Sequence, residues 1–178
     1  MSLPARHHHG FSLIELLIAL AVGAGLLSAT WSWAWAAASA GRTATQQADA
    51  LSSLAMARRL IVHDVRASQG LASGGVGGEG CGASSLTLLT SEGVAGAVCY
   101  SWNAVRGVLW RSASSVYVAE RAQRFSVRYF DAAGSELVPP SGGYLDAGAA
   151  ARVKLLIFRL SVSAGPRVET CVWAVGLR

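Results

Sequence analysis

The sequence predicts an α+β chain: a long N-terminal hydrophobic helix whose first half spans a membrane, and an antiparallel β-sheet domain packed on its C-terminal half. Three observations carry that expectation. From Phe11 to Ala40 the only charged residue is Glu15, and this run exceeds the roughly 20 apolar residues that cross a hydrocarbon core. Beyond Gly41 the chain turns polar yet keeps apolar residues at helical spacing. After Ser85, short β-branched and aromatic runs follow one another with turn residues between them.

The chain has 178 residues, 52 % of them apolar and only 14 % charged, which suits one domain carried on a membrane segment. Its net charge of +5 falls to +4 without residues 1–10, where Arg6 is the one charged side chain. Fourteen arginines and one lysine are spread along the chain rather than gathered in a run. Binding to DNA or to an anionic surface is therefore not indicated.

Residues 1–10 are short and polar, with Arg6 and His7-His8-His9. A positive flank before an apolar run keeps that end in the cytoplasm. Phe11 to Trp31 makes about 30 Å of helix, the thickness of the hydrocarbon core. Trp31, Trp33 and Trp35 then fall at the outer interface, where tryptophan is enriched. Ala19 with Gly23, and Ala21 with Gly25, have the small-xxx-small spacing that lets helices approach closely in lipid. A carboxylate such as Glu15 inside a span costs about 2.5–3.5 kcal/mol at the centre and less near an interface, so it calls for a partner. The alternative is that it snorkels to water.

Gly10-Phe11-Ser12-Leu13-Ile14-Glu15 with the apolar run behind it resembles the class III signal peptide of type IV pilins and type II secretion pseudopilins. The resemblance implies a pilin-like fold and cleavage between Gly10 and Phe11 by a prepilin peptidase. It also implies N-methylation of the new terminal Phe11. Glu15 would meet the terminal amine of a neighbouring subunit, since a buried carboxylate and a buried ammonium are each costly alone and less so together. A conventional signal, cut near Ala36-Ala37-Ala38-Ser39-Ala40, is the alternative.

No proline interrupts Phe11 to Gln69, and Gly70 is the expected stop. Leu51, Leu54, Ile61 and Val65 form the expected apolar stripe, broadened by Met56 and Leu60, with Gly41 a candidate bend. Asp64 and Arg66 do not share a helix face and should serve different neighbours. Leu60 to Ala67 resembles the end of this helix in PilW-type minor pilins and J-type minor pseudopilins. The chain thus divides into a leader (1–10), a transmembrane and assembly helix (11–40), its amphipathic continuation (41–69) and a β-rich globular domain (70–178).

Residues 68–85 are glycine-rich without the Gly-Lys-Ser/Thr ending of a phosphate loop. Strands are expected at 86–90, 94–102, 107–111, 115–118, 124–130, 153–163 and 169–175, with turns at 103–106 and 131–134 and a loop at 138–143. Phe125, Val127 and Tyr129 form one core row, and Leu156, Phe158, Leu160 and Val162 another. The cysteines are Cys81, Cys99 and Cys171, with no metal-ligand spacing. One disulfide and one free thiol is the simplest outcome outside the cytoplasm. Cys81–Cys99 closes the shortest loop; Cys99–Cys171 gains more stability and is the alternative.

No nucleophile motif, paired carboxylates or metal set is visible, so no catalysis, metal or cofactor is expected. The resemblance implies a structural subunit, a PilW-like minor pilin or a J-type minor pseudopilin of the type II secretion tip. It would sit in the inner membrane with a cytoplasmic N-terminus and a periplasmic domain, and later in a pilus or pseudopilus. Its partners would be prepilin peptidase, other minor pilins or pseudopilins, and the membrane. A membrane-anchored enzyme is the reading from a different class.

Overall fold

The computed structural model describes residues 12–73, 80–94, 96–112, 116–140 and 143–177. Two compact units divide the chain, residues 1–44 and 45–178. One helix, α1 (Leu13–Ala67), runs through both, uninterrupted at Gly23, Gly25 and Gly41.

In the first unit the described residues are Ser12 and the start of this helix. Leu13, Leu17, Leu20, Leu26 and Leu27 are all more than half exposed, as are Trp31, Trp33 and Trp35. The helix is long and apolar enough to cross a membrane. Its few hydroxyls bond within it: Ser28 Oγ donates to Gly25 O at 2.8 Å, Thr30 Oγ1 to Leu27 O at 2.9 Å, and Ser39 Oγ to Ala36 O at 2.8 Å. Such back-bonding lets polar side chains remain in a span where water is absent.

In the second unit the helix buries Ala50, Leu54, Ala57, Ile61 and Val65, spaced along one face. This corrects the expected stripe: Leu51 and Met56 are 50 % and 64 % exposed. They lie off the face that Leu54, Ile61 and Val65 define, and two alanines complete it instead. The helix also ends before Gly70. Gln69 N–H donates to Leu89 O at 2.7 Å, so the backbone leaves the helix directly into a β-ladder, and Gly70 opens the first strand.

The β part forms two antiparallel sheets where the sequence suggested one. In chain order the strands are β1 (Gly70–Leu71), β2 (Ser85–Val94), β3 (Ala97–Asn103), β4 (Val108–Arg111), β5 (Val116–Glu120), β6 (Ala122–Phe130), β7 (Glu136–Leu137), β8 (Leu155–Ala164) and β9 (Arg167–Gly176). The first sheet has the order β1-β2-β3-β4-β5 and the second β7-β6-β8-β9. Between β5 and β6 the chain changes sheets at Arg121, which takes φ 57°, a left-handed conformation unusual for a side chain with a Cβ. Ala122 N–H donates to Gly107 O at 2.7 Å and Trp102 Nε1 to Ala122 O at 3.0 Å, which fixes that corner.

Both expected core rows are inside. Phe125, Val127 and Tyr129 of β6, and Leu156, Phe158, Leu160 and Val162 of β8, join the helix stripe in one apolar cluster with Leu86, Leu88, Val98 and Leu109 of the first sheet. Phe158 stacks on Trp173 of β9 at 5.4 Å. The turns expected at 103–106 and 131–134 are present, the second held by Asp131 Oδ1, which accepts from Ala133 N and Ser135 N. A short helix, α2 (Ala147–Arg152), was not expected. Asp146 caps it by accepting from Ala149 N at 2.7 Å.

Candidate functional site

Gly10 and Phe11, the expected cleavage and methylation positions, lie outside the described residues. The first described residues form a capping box. Ser12 N–H donates to Glu15 Oε2 at 3.0 Å, and Ile14 N–H donates to Ser12 Oγ at 3.3 Å. Each side chain thus satisfies a backbone donor that the first helical turn leaves without a partner. The carboxylate also sits at the positive end of the helix dipole. The signal Ser-x-x-Glu before an apolar run is legible in the sequence, where Glu15 was read against an external amine or against water and not as a cap. Inside the isolated subunit, Glu15 already has a use.

A second constellation joins α1 to the first sheet. Asp64, 4 % exposed, projects from the helix face between Ile61 and Val65. Its Oδ2 accepts from Tyr100 Oη at 2.6 Å and from Arg111 Nε at 2.7 Å. Its Oδ1 lies 3.3 Å from Nδ1 of the exposed His63. Burial raises the Asp64 pKa, but the hydrogen bonds from Arg111, Tyr100 and His63 outweigh it and hold the carboxyl below its ordinary value. Asp64 in turn raises the Arg111 pKa, and burial followed by the bond to Asp64 raises that of Tyr100. Asp64 and Arg66 lie in different surroundings: Asp64 is buried and Arg66 is exposed. The partners Tyr100 and Arg111 were not legible. A carboxylate on the buried side of a helix signals that a cation exists somewhere, not which strand supplies it.

Cys81 and Cys171 form no disulfide. Cys81 Sγ donates to Thr87 O at 3.3 Å, while Thr87 Oγ1 donates to Cys99 Sγ at 3.4 Å, so the two thiols flank one residue of β2. Cys171 lies on β9, in the other sheet, opposite Leu160. Burial pushes the Cys81 thiol up to about 11, which suppresses its thiolate. The segment holding Cys81 is pinned from the second sheet, where Tyr129 Oη donates to Gly82 O at 2.8 Å and to Ser85 O at 3.0 Å.

Among the described residues no group of three His, Cys, Asp or Glu side chains converges to hold a metal. Exposed arginines are the main surface chemistry: Arg58, Arg59 and Arg66 surround Val62 and His63 on the helix. Arg124, Arg128 and Arg159 share the outer face of the second sheet, where Glu136 pairs with Arg128 at 2.6 Å.

Residues 5–30 match a known family profile, the prokaryotic N-terminal methylation motif. No curated protein matches the chain.

Proposed function

We propose that this chain, which carries the class III signal of type IV pilins and pseudopilins, is a PilW-like minor pilin that takes part in assembling a type IV pilus. The observation that supports the pilin-like part of the reading is the match at residues 5–30, which runs into the start of a helix able to cross a membrane. The helix holds the subunit in the inner membrane, with its N-terminus in the cytoplasm and residues 70–178 in the periplasm. From there it passes into a bundle of similar helices, and the β domain contacts sister subunits. The Leu60–Ala67 resemblance supports two subtypes, so a J-type minor pseudopilin of type II secretion is the second reading.

Prepilin peptidase would cut between Gly10 and Phe11 and methylate Phe11. Intact mass of protein from cells that hold this peptidase should begin at methylated Phe11; a product starting near Gly41, or uncut at Met1, refutes the reading. The same protein, mapped without reduction, should join Cys81 to Cys99. The two thiols give up two protons and two electrons to an external disulfide oxidant, whose S–S bond breaks and which leaves as its dithiol. A linkage to Cys171 would replace that pairing.

Glu15 is proposed to exchange its own Ser12 N–H for the terminal ammonium of a neighbour on assembly. Gln at this position still completes a capping box but carries no charge. Glu15→Gln should therefore insert and be cleaved normally, yet co-purify with partner subunits as poorly as Glu15→Ala. If Glu15→Gln recovers partners like the wild type, the residue acts only as a helix cap.

A further inference from the structure

We propose that the outer face of β6 and β8 binds an acidic peptide, an extended segment of another protein that carries two carboxylates two positions apart. Along β6, Arg124, Ser126 and Arg128 alternate with the buried Phe125, Val127 and Tyr129, so the three share the outer row. Arg159 of β8 pairs with Ser126 across the ladder. Three arginines therefore surround one serine, and together they line a cleft of about 480 Å³. On the β6 side the cleft is bounded by Ala83, whose carbonyl accepts from Val127 N–H at 3.0 Å, and by Val138 and Pro139, which follow β7.

The three arginines are not equivalent. Arg128 is engaged: its Nε and Nη2 donate to Glu136 Oε1 and Oε2 at 2.7 and 2.6 Å, and its guanidinium lies 5.2 Å from the centre of the Phe130 ring. That fork shows how a carboxylate seats itself on this face. Glu136 is the one carboxylate among the described residues lining the cleft, and Arg128 neutralises it. Arg124 and Arg159 are exposed and make no hydrogen bond or ion pair among the described residues. The face thus keeps two positive charges that the described residues do not balance.

The ladder sets the spacing a ligand must match. Arg124 is the diagonal neighbour of Arg159, roughly 7–8 Å away. In an extended segment, residues two positions apart point the same way and lie about 6.5–7 Å apart. Two such carboxylates reach both guanidinium groups at once, whereas adjacent carboxylates point to opposite sides. The remaining lining is largely apolar, with Val138, Pro139, Ile157 and Val172. Exposed ion pairs contribute little alone, so a free inorganic anion, which leaves that rim uncovered, gains little here. A peptide with apolar residues beside its carboxylates covers the rim as well, as acidic motifs do on arginine clusters. A continuous run of phosphates, as on DNA, would also lay charge against Glu136. A second copy of this chain lacks the segment: its two closest carboxylates in sequence, Asp131 and Glu136, are five positions apart, and Glu136 is already bonded.

The test uses the full chain in detergent micelles and three labelled peptides: Val-Thr-Glu-Thr-Glu-Thr-Val, Val-Thr-Glu-Glu-Thr-Thr-Val and Val-Thr-Gln-Thr-Gln-Thr-Val. Fluorescence anisotropy at about 0.1 M salt, where exposed pairs are only partly screened, should show the first binding at least about fivefold more tightly than the others. Arg124→Gln and Arg159→Gln should each weaken it by about fivefold. Arg159→Lys, which keeps the charge and loses the fork, should recover only part of that loss. Thermal midpoints of these variants should match the wild type, since neither side chain has a partner to lose among the described residues. Arg58→Gln, which removes an exposed arginine from α1, should leave binding unchanged. Equal binding of the peptide with adjacent glutamates, or an equal loss in Arg58→Gln, would reduce the effect to net charge and overturn the site. Failure of the first peptide to bind overturns it as well. Tighter binding of tripolyphosphate or of a short DNA duplex, lost in Arg124→Gln and Arg159→Gln, assigns the face to phosphate and overturns the acidic peptide.

Discussion

At the scale of single residues, Asp64 is the position on which most depends. It is the one charged residue among those α1 buries, and it holds donors from two strands of the first sheet. Replacing it with Ala removes the carboxylate that accepts from Tyr100 Oη and from Arg111 Nε, whose side chain is 13 % exposed. Removing one member of a buried pair costs about 3–5 kcal/mol, so Asp64→Ala should lower the urea midpoint by that much stability. Because the folded-state pKa of Asp64 is depressed, its contribution is complete above the unfolded carboxylate value of about 3.9 and is lost as pH falls through the lower folded value. Stability of the wild type should decline on acidification below about pH 4. In Asp64→Ala that part of the decline should vanish, and an unchanged pH profile would assign the acid sensitivity to other carboxylates. Glu15 teaches the complementary lesson about reading sequences. Its spacing to Ser12 was visible in the sequence, but only the structure reveals that its carboxylate already accepts from the Ser12 N–H.

At the scale of elements, the rules of periodicity succeeded where one side of an element decides its environment. The alternation in β6 and β8 chose the correct inward rows. It failed at α1, where Leu51 and Met56 were favoured over Ala50 and Ala57 because hydrophobicity was weighed above angle around the helix. It was silent on α2, whose alanines have no period and whose one signal is the Asp146 cap. The change of sheet at Arg121 was also invisible, because a left-handed arginine has no sequence mark. Its strain is the basis of a prediction. A left-handed residue with a Cβ costs about 1–2 kcal/mol, offset in part by the greater freedom of glycine in the unfolded chain. Arg121→Gly should therefore stabilise the β domain by up to about 1 kcal/mol in urea unfolding. A loss of stability would mean that the arginine side chain contributes more than its backbone costs.

At the scale of the molecule, every residue of the apolar cluster lies at or beyond Ala50. A fragment beginning at Thr45 therefore retains the whole core and should fold cooperatively in water, with a thermal midpoint within a few degrees of the full chain in detergent. Near-ultraviolet dichroism without fixed tertiary signal would show that the preceding helix is needed for folding. The architecture of anchor and β domain was legible because a long uncharged run and a series of alternating segments are each local properties of the chain. The division into two sheets, and the joining of Asp64 to Tyr100 and Arg111, were not, since both depend on pairings between positions distant in the sequence, such as Phe130 with Leu155 and Asp64 with Tyr100. That triad has a consequence for descent. An apolar residue can replace Asp64 at little cost only if positions 100 and 111 become apolar as well, and any lineage changing them one at a time crosses a destabilised ancestor. Across related chains the three positions should consequently be inherited as a block, all polar or all apolar, with mixed combinations depleted.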